Sequence, residues 1–338
     1  MRRVLVTGGC GFIGSHLVRG LLRDHPTLEV VNLDLLTYAG RPENLADISG
    51  DPRYRFVHGD IAGAASVAAA AEGCDAIINA AAETHVDRSI MGGDEFVTTN
   101  ILGAKRLLDW VAANPRTRLV HVSTDEVYGD VPAPHRSREA DPLHGSSPYA
   151  AAKAAAELMV FAYVRTFGIN ASVVRGANAY GPNQFPEKFI PVLAINTLEG
   201  RPLPIYGDGL QEREFTYVED FAAGIETVLL RGAVGEAYNC GSEQAQVNLS
   251  TAQRVVEILD GSDELIQHVA DRPGHDRRYA IDCAKLRRLG WAPRVEFPDG
   301  LRRTVEWYRD NEPWWRAIQA GAGFADYVAA NYGSRAPG

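Results

Sequence analysis

Leu119-Val120-His121-Val122-Ser123-Thr124-Asp125-Glu126-Val127-Tyr128-Gly129, with Tyr149-Ala150-Ala151-Ala152-Lys153 behind it, is the stretch on which the reading of this chain turns. Its first half is apolar and rich in β-branched residues, the pattern of a buried strand. Its second half switches abruptly to hydroxyls and two consecutive acids. In an open α/β sheet, ligands sit at the carboxyl ends of the strands, so Ser123 to Glu126 are expected to emerge at a ligand site. Ser, Thr and Asp also cap helices, but capping accounts for one of these residues and not for all. Burying a hydroxyl and two carboxyls without partners costs free energy.

Tyr149 and Lys153 are four residues apart, which on a helix puts both on one face. The Ala-rich segment from Ala151 to Arg165 carries apolar residues at helical spacing, and Pro148 falls where a first turn tolerates proline. An ammonium beside a phenol favours phenolate and lowers its pKa from about 10. This is the pattern expected of a base acting on a hydroxyl near neutral pH. Tyr-x-x-x-Lys alone is unspecific; its setting beside a polar strand end and a glycine-rich loop gives it weight.

That loop lies at the start of the chain. Val4-Leu5-Val6 reads as a short strand, Gly8-Gly9-Cys10-Gly11-Phe12-Ile13-Gly14 as a turn, and Leu17, Leu21 and Leu22 as one face of a helix. Gly9-x-Gly11-x-x-Gly14 fits the dinucleotide fingerprint, and Gly8-x-x-Gly11-x-x-Gly14 fits its variant. Such loops bring backbone against a pyrophosphate at a helix N-terminus. The next strand, Glu29 to Leu33, ends in Asp34, the place for an acid that bonds a ribose 2′-hydroxyl. No arginine stands beside it to accept a 2′-phosphate, so NAD is expected rather than NADP. Further strands are read at Tyr54–Ile61, where Asp60 either holds an adenine amino group or caps the following helix, and at Ala76–Ala82, whose small residues admit a cofactor. Phe96 to Ala113 reads as a helix. His85 has no partner at metal-ligand spacing and reads as structural.

The alternation of strands and helices predicts an α/β doubly wound parallel sheet. After Gly176-Ala177-Asn178-Ala179-Tyr180-Gly181-Pro182 the rhythm lapses and glycine and proline become frequent. The expected division is a dinucleotide-binding domain over 1–178, to which about 215–238 returns, and a smaller α+β substrate-binding domain over 179–338. Arg213 and Arg272 are candidates for clamping a diphosphate. Trp307, Tyr308, Trp314 and Trp315 read as packing.

The 338 residues exceed one ordinary core. With 46% hydrophobic and 23% charged residues, the composition is that of a globular protein. A net charge of −9 argues against nucleic acid or an anionic membrane as partner. Cysteines 10, 74, 240 and 283 show no metal or disulfide spacing, and a reducing, cytoplasmic location is expected. No signal peptide and no membrane-spanning run is read.

Several of these stretches resemble the extended short-chain dehydrogenase/reductase superfamily and, within it, the dTDP-glucose 4,6-dehydratase family, over nearly the whole chain. The resemblance rests on Thr7 to Ser15, Leu36-Thr37-Tyr38-Ala39-Gly40, Ala81 to Ile90, Ser123 to Gly129, Phe185-Pro186-Glu187-Lys188 and Asp271 to Asp282. The Thr-Asp-Glu triplet discriminates most, because related 4-epimerases lack the acid pair and related decarboxylases differ there too. The resemblance implies oxidation at carbon 4 of a nucleoside-diphosphate hexose, elimination of water across carbons 5 and 6, and hydride return to carbon 6. Thr124, Asp125, Glu126, Tyr149 and Lys153 would be catalytic. Gly8, Gly11, Phe12, Ile13, Gly14, Asp34, Thr37, Asp60, Ile61, Ala80, Ala82 and Thr99, with Tyr149 and Lys153, would hold NAD. Thr84, Asn178, Lys188, Arg213, Asn239 and Arg272 would hold the nucleotide sugar. A homodimer through helices 96–113 and 151–167 is also implied.

The chain departs from the family at Cys10, where alanine is usual, and at Ala179, Gln211, Glu214 and Phe215 on the substrate side. Those changes leave open a 4,6-dehydratase of another sugar nucleotide. A 4-epimerase would not need Asp125 and Glu126, and a non-catalytic NAD-binding protein would not need Thr124, Tyr149 and Lys153. The Asp34 reading predicts tighter binding of NAD than of NADP; a fluorescence titration showing equal or tighter NADP binding would contradict it.

Overall fold

A computed structural model describes residues 1–332. Its strands are β1 (Arg3–Thr7), β2 (Glu29–Asp34), β3 (Tyr54–His58), β4 (Ala76–Asn79), β5 (Arg118–Thr124), β6 (Ala171–Gly176), β7 (Asn178–Tyr180), β8 (Leu203–Tyr206), β9 (Glu212–Tyr217), β10 (Ala237–Cys240), β11 (Ala245–Val247) and β12 (Ile266–Val269). The helices of its first half are α1 (Phe12–Asp24), α2 (Ala64–Ala71), α3 (Val86–Met91), α4 (Asp94–Phe96), α5 (Ala104–Ala113) and α6 (Pro148–Phe167). Those of its second half are α7 (Phe189–Leu198), α8 (Val218–Arg231), α9 (Asn248–Ile258), α10 (Ala284–Arg287), α11 (Phe297–Asp310), α12 (Glu312–Gln319) and α13 (Ala322–Tyr332).

Seven strands form a parallel sheet in the order β10-β6-β5-β4-β1-β2-β3. Alternation along each strand sorts side chains to its two faces. Val4, Val6, Ile78, Val120 and Val174 pack with Leu17 and Leu21 of α1 and Ile225 and Val228 of α8. Leu5, Ile77, Leu119 and Val173 face the other way, onto Val67 of α2, Leu107 of α5 and Val160 of α6. The sheet is therefore covered on both sides, as a doubly wound fold requires.

A second lobe has its own core, in which Tyr180, Leu193, Phe215, Val255, Leu301, Tyr308 and Trp315 are buried together. It is built on a three-stranded sheet, β11-β9-β7, and the pair β12-β8. The chain enters this lobe through β7, directly after β6. It returns at α8, which lies against α1, and at β10, which pairs with β6.

Two local features depart from simple patterns. The segment read as one helix from Phe96 passes from the end of α4 through a π-helical stretch, Val97–Gly103, before α5 begins. That stretch spans an approach so close that a Cβ on Gly103 would lie 2.6 Å from Ile61 Cγ1. It also leaves the amide of Asn100 to bond both the N–H and the carbonyl of Glu83, each at 2.9 Å. Helix α6, by contrast, has ordinary end chemistry. Ser147 caps it by accepting from Ala150 N, proline fills the first turn, and Gly168 ends it at φ +64.

Candidate active site

After β1 the chain turns at Gly8, φ +71, and enters α1. The end of β2 holds this turn in place. Gly9 N donates to Asn32 Oδ1 and Cys10 N to Asp34 Oδ2, both at 2.9 Å. A Cβ on Gly8 would stand 2.7 Å from Ala81 Cα, and one on Gly14 2.7 Å from Gly9 Cα. Both positions therefore need glycine for loop, helix and the exit of β4 to close together.

Above this cradle lies a cavity of about 280 Å³ at the carboxyl ends of the strands. Gly8, Gly11, Phe12, Ile13, Gly14, Asp34, Thr37, Asp60, Ile61, Ala80, Ala82, Thr99, Tyr149 and Lys153 all line it. Asp34 is buried, which raises its pKa, and the N–H groups of Leu36 and Cys10 oppose that. Asp60 both lines the cavity and caps the next turn, accepting from Ala62 N at 2.8 Å.

A second cavity, about 180 Å³, lies between the lobes and shares Thr84, Glu126, Asn178, Glu187 and Lys188 with the first. Arg213 and Arg272 enter it from the second lobe. Arg213 donates to the carbonyls of Glu212 and Asp276, both at 2.8 Å, and its guanidinium lies 4.2 Å from the Tyr279 ring centre. Arg272 pairs with Asp87 at 3.2 Å, and Lys188 Nζ donates to Thr84 O at 3.0 Å.

Thr124, Asp125 and Glu126 stand where the two cavities meet. Thr124 closes β5 and its Oγ1 accepts from Glu126 N at 3.3 Å. The two acids begin a short 3₁₀ turn, Asp125–Tyr128. Their surroundings differ. Burial holds Asp125 well above the usual carboxylate range, and the neighbouring Glu126 and Glu214 push it further up. Burial raises Glu126 as well, but Arg272, Arg213 and Lys188 all draw it back down. Both carboxyls are thus raised, but Asp125 is held to its proton more tightly than Glu126, whose anion three cations favour.

Residues 5–304 match the GDP-mannose 4,6 dehydratase family. The chain is 45% identical to the dTDP-glucose 4,6-dehydratase of Streptomyces niveus, over 94% of this chain and 96% of that one. It is 44% identical to dTDP-glucose 4,6-dehydratase 1 of Escherichia coli K12, over 98% and 99% respectively. This chain is a member of the dTDP-glucose 4,6-dehydratase family. Among solved structures, the Streptomyces venezuelae dTDP-glucose 4,6-dehydratase with NAD bound superposes with a TM-score of 0.91 at 47% identity, covering 94% of this chain and 99% of that one.

Three residues singled out in the sequence sit in surroundings that their local pattern does not show. Asn239 lines neither cavity; it is fully buried, accepts from Tyr128 Oη at 2.8 Å and donates to Ser137 O at 2.8 Å. Asp125 is only 2% exposed and lies behind the cavity wall that Thr124 and Glu126 form. The Tyr149 phenol is raised, not lowered. Burial dominates and Glu126 adds to it, while Lys153 Nζ is committed to the Val122 carbonyl at 2.6 Å. Lys153 itself is brought down to about 8 by burial, with Glu157 opposing.

The sequence reading passed over Glu187 and Tyr38, both in the first cavity wall. Glu187 is paired at 2.9 Å with Arg88, whose guanidinium lies between the rings of Tyr38 and Tyr327, 4.0 and 4.3 Å from their centres. The available signal was an acid beside Lys188 in an otherwise apolar segment. Tyr206 and His275, in the second cavity, had no such signal.

The raised pKa of Asp125 has a consequence for stability. A carboxyl that binds its proton more tightly folded than unfolded contributes nothing below its unfolded pKa and a growing penalty as pH rises above it. Asp125→Asn should therefore raise the denaturation midpoint at pH 7 more than at pH 4, measured by urea unfolding. An equal or smaller gain at pH 7 would contradict the protonation state assigned here.

Proposed function

We propose that this protein dehydrates dTDP-glucose to the 4-keto-6-deoxy sugar nucleotide, using bound NAD. The observation that carries the reading is the buried acid pair of unequal surroundings, set between a dinucleotide cradle and a pocket with three cationic side chains. The cradle suits NAD. Gly8 and Gly14 leave backbone where a Cβ would intrude, and Asp34 stands at the end of β2 for a ribose hydroxyl. When bound, NAD supplies the hydride acceptor for oxidation at carbon 4 and gives the hydride back at carbon 6.

The chain's own residues handle protons and charge. Tyr149, hydrogen-bonded to Thr124, takes the proton of the sugar 4-hydroxyl, with the Lys153 ammonium one helical turn away and anchored on the Val122 carbonyl. The ketone acidifies the hydrogen on carbon 5, which Glu126 removes as a base. Asp125, still protonated, gives its proton to the departing 6-hydroxyl, which leaves as water. This is the division of labour that unlike environments impose on two carboxyls. Lys188, Arg213 and Arg272, with Asn178, hold the diphosphate, and Thr84 lies beside them. A 4-epimerase has no elimination to catalyse and no use for the acid pair.

A homodimer is part of the same reading. Met91, Val97, Leu158 and Phe167 are each more than half exposed, on α3, the π-helical stretch and α6. Apolar exposure grouped on neighbouring elements supports an interface between copies of the chain. Light scattering should give twice the chain mass, and a monomer mass at working concentration would refute it. The four cysteines are free and buried, which supports a reducing, cytoplasmic setting. Among the described residues no helix is long and apolar enough to cross a membrane, and no group of His, Cys, Asp or Glu is placed to hold a metal.

The direct experiment is incubation with dTDP-glucose and detection of the 4-keto product. Tyr149→Phe should lower turnover by about 10²-fold or more, the usual contribution of a general base. No product from the wild type would overturn the proposal, and near-wild-type turnover of the variant would overturn the role of Tyr149.

A further inference from the structure

Behind the candidate active site lies a second buried charge cluster to which none of the roles above gives a task. Glu157 sits on α6 one turn beyond Lys153, fully buried. Its Oε2 is 2.8 Å from both Nε and Nη2 of Arg175, which is on β6 and 3% exposed. Arg175 Nη1 donates to Tyr128 Oη at 2.6 Å and to the Glu139 carbonyl at 3.0 Å. Tyr128 Oη in turn donates to Asn239 Oδ1 at 2.8 Å. Tyr128 is the last residue of the turn that begins with Asp125 and Glu126. A continuous chain of short polar contacts thus runs from the helix carrying Tyr149 and Lys153 to the turn carrying the two acids.

An ion pair this deep is no bargain for stability. Apolar residues of similar volume commonly do as well or better in its place, so stability alone gives no reason for these side chains. Their position does. Glu157 pairs with Arg175 at 2.8 Å and lies four residues, one helical turn, beyond Lys153 on the same buried face of α6. The titratable and charged groups around Lys153 are Tyr149 and Glu157 on its own helix, His121 on β5, Asp125 and Glu126 in the turn after β5, and Arg175 on β6 behind Glu157. The charge of Glu157 supports the Lys153 ammonium against a burial that favours the neutral amine.

We propose that Glu157 is a positioning residue for the reaction: it is the buried anion that keeps Lys153 an ammonium, and through Arg175 and Tyr128 it ties the Lys153 helix to the Asp125–Glu126 turn. This deepens the dehydratase reading and rests on it for the purpose of the device. The charge relation itself does not depend on which substrate is turned over. Asn239, assigned to substrate in the sequence, takes its place in this account as the far end of the tie.

The test reads Lys153 directly. The chain has only four lysines, at 105, 153, 188 and 285. Carbon-13 labelling of lysine Cε therefore gives four resonances, with Lys153 identified by its loss in Lys153→Met. In the wild type the Lys153 midpoint is expected at about 8. In Glu157→Gln it should fall by about one unit or more, the usual effect of losing a nearby opposite charge, while Glu157→Asp should keep most of it. The alkaline limb of the turnover profile on dTDP-glucose should move down with the midpoint, with KM little changed. Should Glu157→Gln leave Arg175 too poorly satisfied to fold, the double variant Glu157→Met with Arg175→Met removes both charges at similar volume, and the same fall is expected. An unchanged midpoint in whichever of these variants folds would overturn the proposal, whatever happens to melting temperature. Absence of turnover by the wild type would instead count against the dehydratase reading and would leave the titration result standing.

Discussion

Two adjacent carboxyls taken out of water at the end of one strand are the constraint on which this molecule depends. Side by side and buried, Asp125 and Glu126 cannot both be charged cheaply, and burial alone would leave both protonated. The fold separates them by what each faces. Asp125 points into the protein, toward Thr124 and the field of Glu214. Glu126 faces the inter-lobe cavity, where Lys188, Arg213 and Arg272 favour its anion. Neither lobe achieves this alone: the strand end belongs to the seven-stranded sheet, and the cations come from beyond β7.

The same arrangement explains why the second lobe is threaded through the first. The chain leaves after β6, supplies Lys188 and Arg213, and comes back as α8 and β10 before leaving again to supply Arg272. Three crossings hold the cationic wall against the acid turn more firmly than one linker could. Further ties come from long-range contacts such as Arg88 with Glu187 and Arg278 with Glu212. The cavities that result are continuous in their walls, one shaped for a dinucleotide and one for a charged, sugar-bearing ligand.

Much of this was legible in the sequence, and the reasons are local. Gly8 to Gly14 between strand and helix patterns specifies a cradle, because only glycine satisfies its close approaches. The polar end of a β-branched run marks a strand that stops at a ligand. What escaped was whatever depends on distance across the fold. The π-helical stretch at Val97–Gly103 packs Gly103 against Ile61, a contact across the fold that the local spacing of its residues does not show. Asn239 was placed on the substrate side by the family resemblance alone, and its partners here, Tyr128 and Ser137, lie more than a hundred residues earlier in the chain. The expectation that Lys153 would depress Tyr149 used their spacing correctly but omitted burial and the nearby acids, which dominate. Arg88, between two rings drawn from opposite ends of the chain, had no sequence signal at all.

The assignment of unlike tasks to the two acids is tested most directly by Glu126→Gln in a single turnover with near-stoichiometric enzyme and dTDP-glucose, followed by reduced-nicotinamide absorbance. The substitution keeps shape and removes the proposed base, leaving Thr124, Tyr149 and Lys153 untouched. Oxidation at carbon 4 should proceed while elimination stalls, so the absorbance should rise and persist, whereas the wild type shows little. Formation of the 4-keto-6-deoxy product at the wild-type rate, or neither product nor absorbance, would contradict the account.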